Sequence, residues 1–188
     1  MGTELDLNEQ QPEADVEAPE PEAEKPEQPK KESGHWDANE MLIQHFAQPV
    51  RFITYTGIKD LSVVRTKPYT IWGKYADGEL LKMAKLQVLF AFPKEKMPDL
   101  KPYIKIRAPL KSENLQPIEA IAERYHVDDE LLEQARDSKS DVNIVTRAGY
   151  VLNGWIQQFD KYVLYMRIGE KMVIVYRHGL FDFTVDER

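Results

Sequence analysis

Short runs of β-branched and aromatic residues, each closed by a turn signal, are written twice along this chain. Each series follows a stretch with helical spacing. Residues 50–56 are one such run, stopped at Gly57. Further runs cover 61–65, 69–75, 79–83, 86–92 and 103–107, with a hairpin signal at Asp77-Gly78. The second series covers 142–147 up to Gly149, then 150–159, 162–167, 172–177 and 180–185, with a turn at Gly169-Glu170. Strands this short and numerous belong in small, strongly bent sheets, and repetition of one helix-plus-strands unit predicts a duplicated small domain. The expected fold is therefore mainly β with short helices, in two tandem domains.

The helical stretches are brief. Met41, Leu42 and Phe46 give a short amphipathic helix ended by Pro49. Pro117 opens a second stretch in which Ile118, Ile121, Ala122 and Tyr125 share one helix face. A third begins at Asp128 and Asp129 and carries Leu131, Leu132 and Ala135. The last two in succession look like a DNA-binding helix-turn-helix. The acidic segment 128–133 argues against that, since a recognition helix must approach phosphate.

Residues 1–35 contain no aromatic residue and carry eleven acidic and three basic side chains. Such a tail cannot bury enough surface to offset roughly 1–2 kcal/mol per residue of ordering, so it is expected to be disordered. It accounts for the net charge of −7, leaving a body near neutral on which a basic patch can still sit. There is no cysteine, hence no disulfide framework or thiolate site. No apolar run approaches the ~20 residues that span a bilayer, and the polar N-terminus is unlike a secretory signal, so a cytoplasmic location is expected. Asp160, His178 and Asp182 have no nucleophile, phosphate loop or metal-ligand spacing beside them. Neither enzymatic activity nor a cofactor or metal is expected.

The C-terminal stretch carries a more specific pattern. It reads Val142-Asn-Ile-Val-Thr-Arg-Ala-Gly149, then Gly154-Trp-Ile-Gln-Gln-Phe-Asp-Lys-Tyr162, then Tyr176-Arg-His-Gly179. These segments and the helix before them resemble the Hfq family, the bacterial branch of the Sm-like RNA-binding proteins. The spacing between Phe159-Asp160 and Tyr176-Arg177-His178 is the specific part of the likeness. Residues 50–57 resemble the family's first strand and 86–92 its fourth, with Phe92-Pro93-Lys94 standing near the place of the Tyr-Lys-His turn. The organisation implied is an acidic tail at 1–35, a diverged Sm-like domain at 36–110 with a mainly structural role, a helical linker at 111–127 and an Hfq-like domain at 128–188. Each Sm-like domain would be a helix followed by a five-stranded, strongly bent antiparallel sheet.

The resemblance also implies roles. Single-stranded RNA is the expected partner, bound at a ring pore, with a possible chaperone role in post-transcriptional regulation. Tyr162 would stack on a base, Arg177 and Lys161 would hold phosphate, and His178 would bond base or ribose. Arg136 and Lys139 match the family's basic rim. Gly154, Phe159, Asp160 and Tyr176 would be structural: Asp160 fixing the turn by local hydrogen bonds, Gly154 allowing strand bending, Tyr176 buried at a subunit contact. Asp128 stands where the family has a uridine-contacting Gln, and Val145 where an aromatic stacks adenines, so U-rich RNA is favoured over A-rich. Six units make the family's ring, which predicts a trimer of tandem chains or a hexamer built on the C-terminal domain. An Sm-like protein scaffold without RNA binding is the alternative.

Overall fold

The computed structural model describes residues 36–186, so the expectation for the tail at 1–35 lies outside the described residues. Asp37 opens α1 (Ala38–Glu40) by accepting the Asn39 N–H at 2.8 Å, and the helix runs on through one wide turn, Met41–His45. Leu42 and Phe46 are buried beneath it. Five strands follow: β1 (Val50–Thr54), β2 (Gly57–Thr66), β3 (Thr70–Lys74), β4 (Leu80–Ala84) and β5 (Val88–Pro93). A connecting region holds α2 (Met97–Leu100), β6 (Ile104–Ile106) and α3 (Ala108–Ser112). Then α4 (Asp129–Asp137) leads into β7 (Asp141–Thr146), β8 (Tyr150–Phe159), β9 (Val163–Ile168), β10 (Lys171–Tyr176) and β11 (Leu180–Val185).

The fold is mainly β, antiparallel throughout, with short helices. The two series pair identically. β1 lies between β5 and β2, which continues to β3 and β4, just as β7 lies between β11 and β8, which continues to β9 and β10. Even the irregularities repeat. The β2–β3 register shifts between Val63 and Arg65, and the β8–β9 register shifts between Ile156 and Gln158. A bulge bends a strand and increases its twist, which is how so short a sheet curls over its own core.

The units are joined along one edge. β5 pairs with β1 inside its own unit and with β10 of the other, placing Phe90 opposite Val175 and Ala91 opposite Ile174. The cores interlock across this joint. Leu89, Phe90 and Phe92 are fully buried in the cluster built mainly from the C-terminal unit, while Val163, Tyr165, Ile174 and Tyr176 are buried in the N-terminal one.

Three expectations need correction. The run 86–92 is not the fourth strand: β4 is Leu80–Ala84, and Val88–Pro93 is the fifth. The turn between them is Lys85–Gln87, not Phe92-Pro93-Lys94. The cause is the joint. All six residues of β5 are buried because it is flanked on both edges, so it reads as one continuous apolar run, while β4 is an edge strand with exposed positions. The run at 103–107 serves the other unit, with Ile104–Ile106 pairing to β8. The helical linker does not form as a helix. Only a single 3-10 turn, Ile121–Glu123, appears there, with Ile121 exposed and the Arg124 guanidinium bonded to the carbonyls of Ile118 (2.9 Å) and Glu119 (2.8 Å). The apolar face at helical spacing has nothing to pack on, and an isolated helix this short does not hold. The helix-turn-helix reading goes with it.

Candidate nucleic-acid interface

Two turns meet at one end of the C-terminal unit. The first, Asp160-Lys161-Tyr162, joins β8 to β9. Asp160 Oδ1 accepts the N–H groups of Tyr162 (2.6 Å) and Val163 (2.9 Å), and the Asp160 N–H donates to the Val163 carbonyl. An acceptor bonding the backbone two and three residues on fixes this tight turn. The Tyr162 ring is left 67% exposed, with the Lys161 ammonium 5.7 Å from its centroid. The second turn, Arg177–Gly179, joins β10 to β11 and donates the Arg177 N–H to the Tyr162 carbonyl at 2.9 Å.

Arg177 and His178 are spent within the protein. The Arg177 guanidinium bonds the carbonyls of Asp160 (3.0 Å) and Val127 (2.8 Å) and the Asp129 carboxylate (2.8 Å), and its side chain is only 12% exposed. It clamps the start of α4 to the first turn. His178 Nε2 donates to the Val88 carbonyl of the N-terminal unit at 2.9 Å. Burial pushes its pKa down to about 4, despite backbone hydrogen bonds that favour the cation. Of the four residues expected on RNA, the structure presents Tyr162 and Lys161 outward and uses the other two as fasteners.

The remaining candidates fall in separate places. Phe159 is partly buried against the core, with the Arg136 guanidinium 5.6 Å from its ring and bonded to Asp137. Lys139 is exposed just beyond α4 in a left-handed conformation, φ 50°. Gly154 meets the Arg167 carbonyl so closely that any Cβ would collide with backbone, which is the local reason for glycine. Tyr176 is buried at the joint between units, where desolvation raises its pKa. Asp128 caps α4 through the Glu130 N–H (3.0 Å), and Val145 is buried in β7.

Known proteins resemble this same unit. The family model described as "Hfq protein" matches residues 127–187. The C-terminal unit is a member of the Hfq family. A relative named RNA-binding protein Hfq, from Thermotoga maritima, is 28% identical over 61 residues, 32% of this chain and 66% of the relative. The chain thus spans just under two thirds of that relative's length. A Geobacillus protein of the same name is 26% identical over 62 residues, 33% of this chain and 84% of its own. A solved structure of the pleiotropic translational regulator Hfq is 28% identical, covers 30% of this chain and 95% of its own, and has a TM-score of 0.30. The family is one of RNA-binding proteins rather than enzymes. No helix among the described residues is long and apolar enough to cross a membrane.

Outside the Hfq unit, the N-terminal unit repeats the same pair of turns. The Lys67 N–H donates to the Thr70 carbonyl (2.8 Å) and the Lys85 N–H to the Tyr69 carbonyl (2.9 Å), matching the bonds of Asp160 and Arg177. Tyr69, in the place of Tyr162, is 82% exposed. Lys85, in the place of Arg177, reaches the Asn39 side chain at the start of α1 (2.6 Å), and burial lowers its pKa against the opposing pull of Asp37 and Asp160. Leu86 replaces His178 and Lys67 replaces Asp160. The motif comparison missed Tyr69 because the residues around it share only the turn geometry with Asp160-Lys161-Tyr162. The usable signal was weaker: an exposed Tyr between two strands and a basic residue after the fourth.

Proposed function

We propose that this protein binds single-stranded RNA at the Asp160–Tyr162 turn of its Hfq unit, within a ring, and acts as an RNA chaperone in post-transcriptional regulation. The observation that carries this is the exposed Tyr162 ring, held on a rigid turn beside the Lys161 ammonium. Stacking on an aromatic side chain is worth about 1–3 kcal/mol per base, and a cation beside it adds attraction for phosphate. Arg177 and His178 serve as positioning residues beneath the turn, and a direct contact from either requires its internal bonds to exchange. Arg136 and Lys139 offer rim contacts. U-rich RNA is preferred over A-rich because Val145, buried in β7, supplies no stacking surface for adenines.

The ring is proposed as three tandem chains, since β5 and β10 already join two units inside one chain, with a hexamer through the Hfq unit as the alternative. A species at three times the 21.9 kDa chain mass supports the former in solution. A second reading, an Sm-like scaffold for protein partners, draws on Asp128, Asp129 and Glu130, acids clustered beside the turn.

Binding of fluorescent U-rich and A-rich oligonucleotides at two salt concentrations tests the proposal. Salt-sensitive binding, weakened about 5- to 150-fold by Tyr162→Ala, is expected. An assembled protein that binds neither oligonucleotide sends the choice to the scaffold.

A further inference from the structure

The joint inside the chain shows how one of these units receives another. The outer edge of β5 takes β10, the side chains of Leu89, Phe90 and Phe92 enter one core, and Val163, Tyr165, Ile174 and Tyr176 enter the other. The start of α1 completes the contact: Trp36 packs edge-on against Tyr165 at 5.4 Å and its carbonyl accepts the Tyr165 hydroxyl at 2.8 Å. The chain therefore ends with two unused edges of the same two kinds. Among the described residues β4 pairs only with β3, and β11 pairs only with β7.

The chemistry of these two edges differs from that of the used ones. On the β3–β4 face, the positions of Val163, Tyr165, Ile174 and Tyr176 hold Thr70, Trp72, Lys82 and Ala84. Three cations crowd the indole: Arg65 at 4.5 Å, Lys82 at 5.6 Å and Lys67 at 5.8 Å from the Trp72 ring. No ion pair among the described residues engages any of them. On the other edge, Phe181, Asp182 and Thr184 stand where β5 has Leu89, Phe90 and Phe92. The helix start that would lie on Trp72 begins with Asp128-Asp129-Glu130.

We propose that the Trp72 face and the β4 edge receive the β11 edge and the acidic start of α4 from a second copy of this chain, in a joint held by charge where the joint inside the chain is apolar. The inference rests on the ring reading and names the surfaces that close it. Asp182 would lie at the β4 edge beside Lys82, and Asp128 would lie over Trp72 near Arg65 and Lys67. An edge strand carrying lysine resists indiscriminate pairing and accepts a partner that brings acid. A joint of this kind weakens as salt screens it, whereas burial of Phe90 and Ile174 does not. In the single chain the outward N–H of Phe183 is taken by the Tyr125 hydroxyl at 3.2 Å, so this one bond is exchanged when a strand arrives.

The test is the mass of the full chain in solution by light scattering, at low and high salt. The expected result is a three-chain species at low salt that falls to single chains at high salt. Lys82→Glu with Arg65→Glu, both at exposed positions, should weaken association on the order of tenfold or more at low salt while leaving thermal unfolding of the single chain unchanged. Adding Asp182→Lys to that variant should restore assembly. Tyr125→Phe, which frees the Phe183 N–H, should leave association equal or tighter. Assembly that ignores the Lys82 and Arg65 reversals overturns the joint, whether or not RNA still binds. So does a chain that stays single at every salt concentration and loses U-rich oligonucleotide on Lys82→Glu, since the face is then a nucleic-acid surface. Failure of the RNA reading shows separately, as assembled protein that binds no oligonucleotide.

Discussion

The two units share one scaffold and differ in what they put on it. Both hold a tyrosine on a turn between their second and third strands, and both tie that turn to the next through a basic residue's N–H. In the C-terminal unit the turn is fixed by Asp160 and underpinned by a buried arginine and histidine. In the N-terminal unit Lys67 and Leu86 occupy those places, and the strand face beyond is polar and cationic. The contrast teaches that pairing pattern, bulges and turn bonds are the conserved physics of the duplication. Side-chain chemistry at the turns and edges is free to diverge because it is not needed for the sheet to close.

The comparison can be broken most forcefully at the joint. Phe90 belongs to the N-terminal unit but is fully buried in the other core, stacked on Phe92 and edge-on to Tyr150 at 5.5 Å. Phe90→Ala should cost about 3–5 kcal/mol and lower one shared unfolding transition in urea. Two separate transitions, with only one shifted, would show that the units fold independently.

A somewhat smaller effect separates the two second turns by pH. His178 has its pKa lowered to about 4 by burial, against an ordinary value of 6.5. The neutral form is thus favoured by folding, so its stabilising contribution is present above about pH 6.5 and is lost as pH falls toward 4. A shift of that size corresponds to roughly 3 kcal/mol. The N-terminal turn, with Leu86, has no such dependence. Denaturation midpoints between pH 7 and 4 should fall steeply for the wild type and less steeply for His178→Asn. Parallel curves would remove His178 as the cause.

The smallest expected difference sharpens the comparison of the tyrosines themselves. Tyr69→Ala should weaken U-rich oligonucleotide binding less than Tyr162→Ala, within about 1 kcal/mol, because its turn lacks the Asp160 bonds that hold the ring in place. An equal loss would give the two turns equal standing on RNA.

Much of this was legible in the chain. Period-two runs closed by Gly57, Asp77-Gly78, Gly149 and Gly169 marked most strands, and the Phe159-Asp160 and Tyr176-Arg177-His178 spacing singled out the C-terminal turns. These are local signals, set by backbone preferences and side-chain types a few residues apart. What the chain could not disclose was decided by contacts far apart in sequence. β5 was read in the wrong place because a strand flanked on both sides loses its alternation. The 117–125 segment has helical spacing but no surface to pack it on. Arg177 and His178 look like free ligands for phosphate and base until Val127, Asp129, Asp160 and Val88 are brought around them. Sequence alone determined that this is a duplicated, bent β chain with an Hfq-type turn. Only tertiary structure decided which side chains remain available at that turn, because availability is what is left after burial and hydrogen bonding have taken their share.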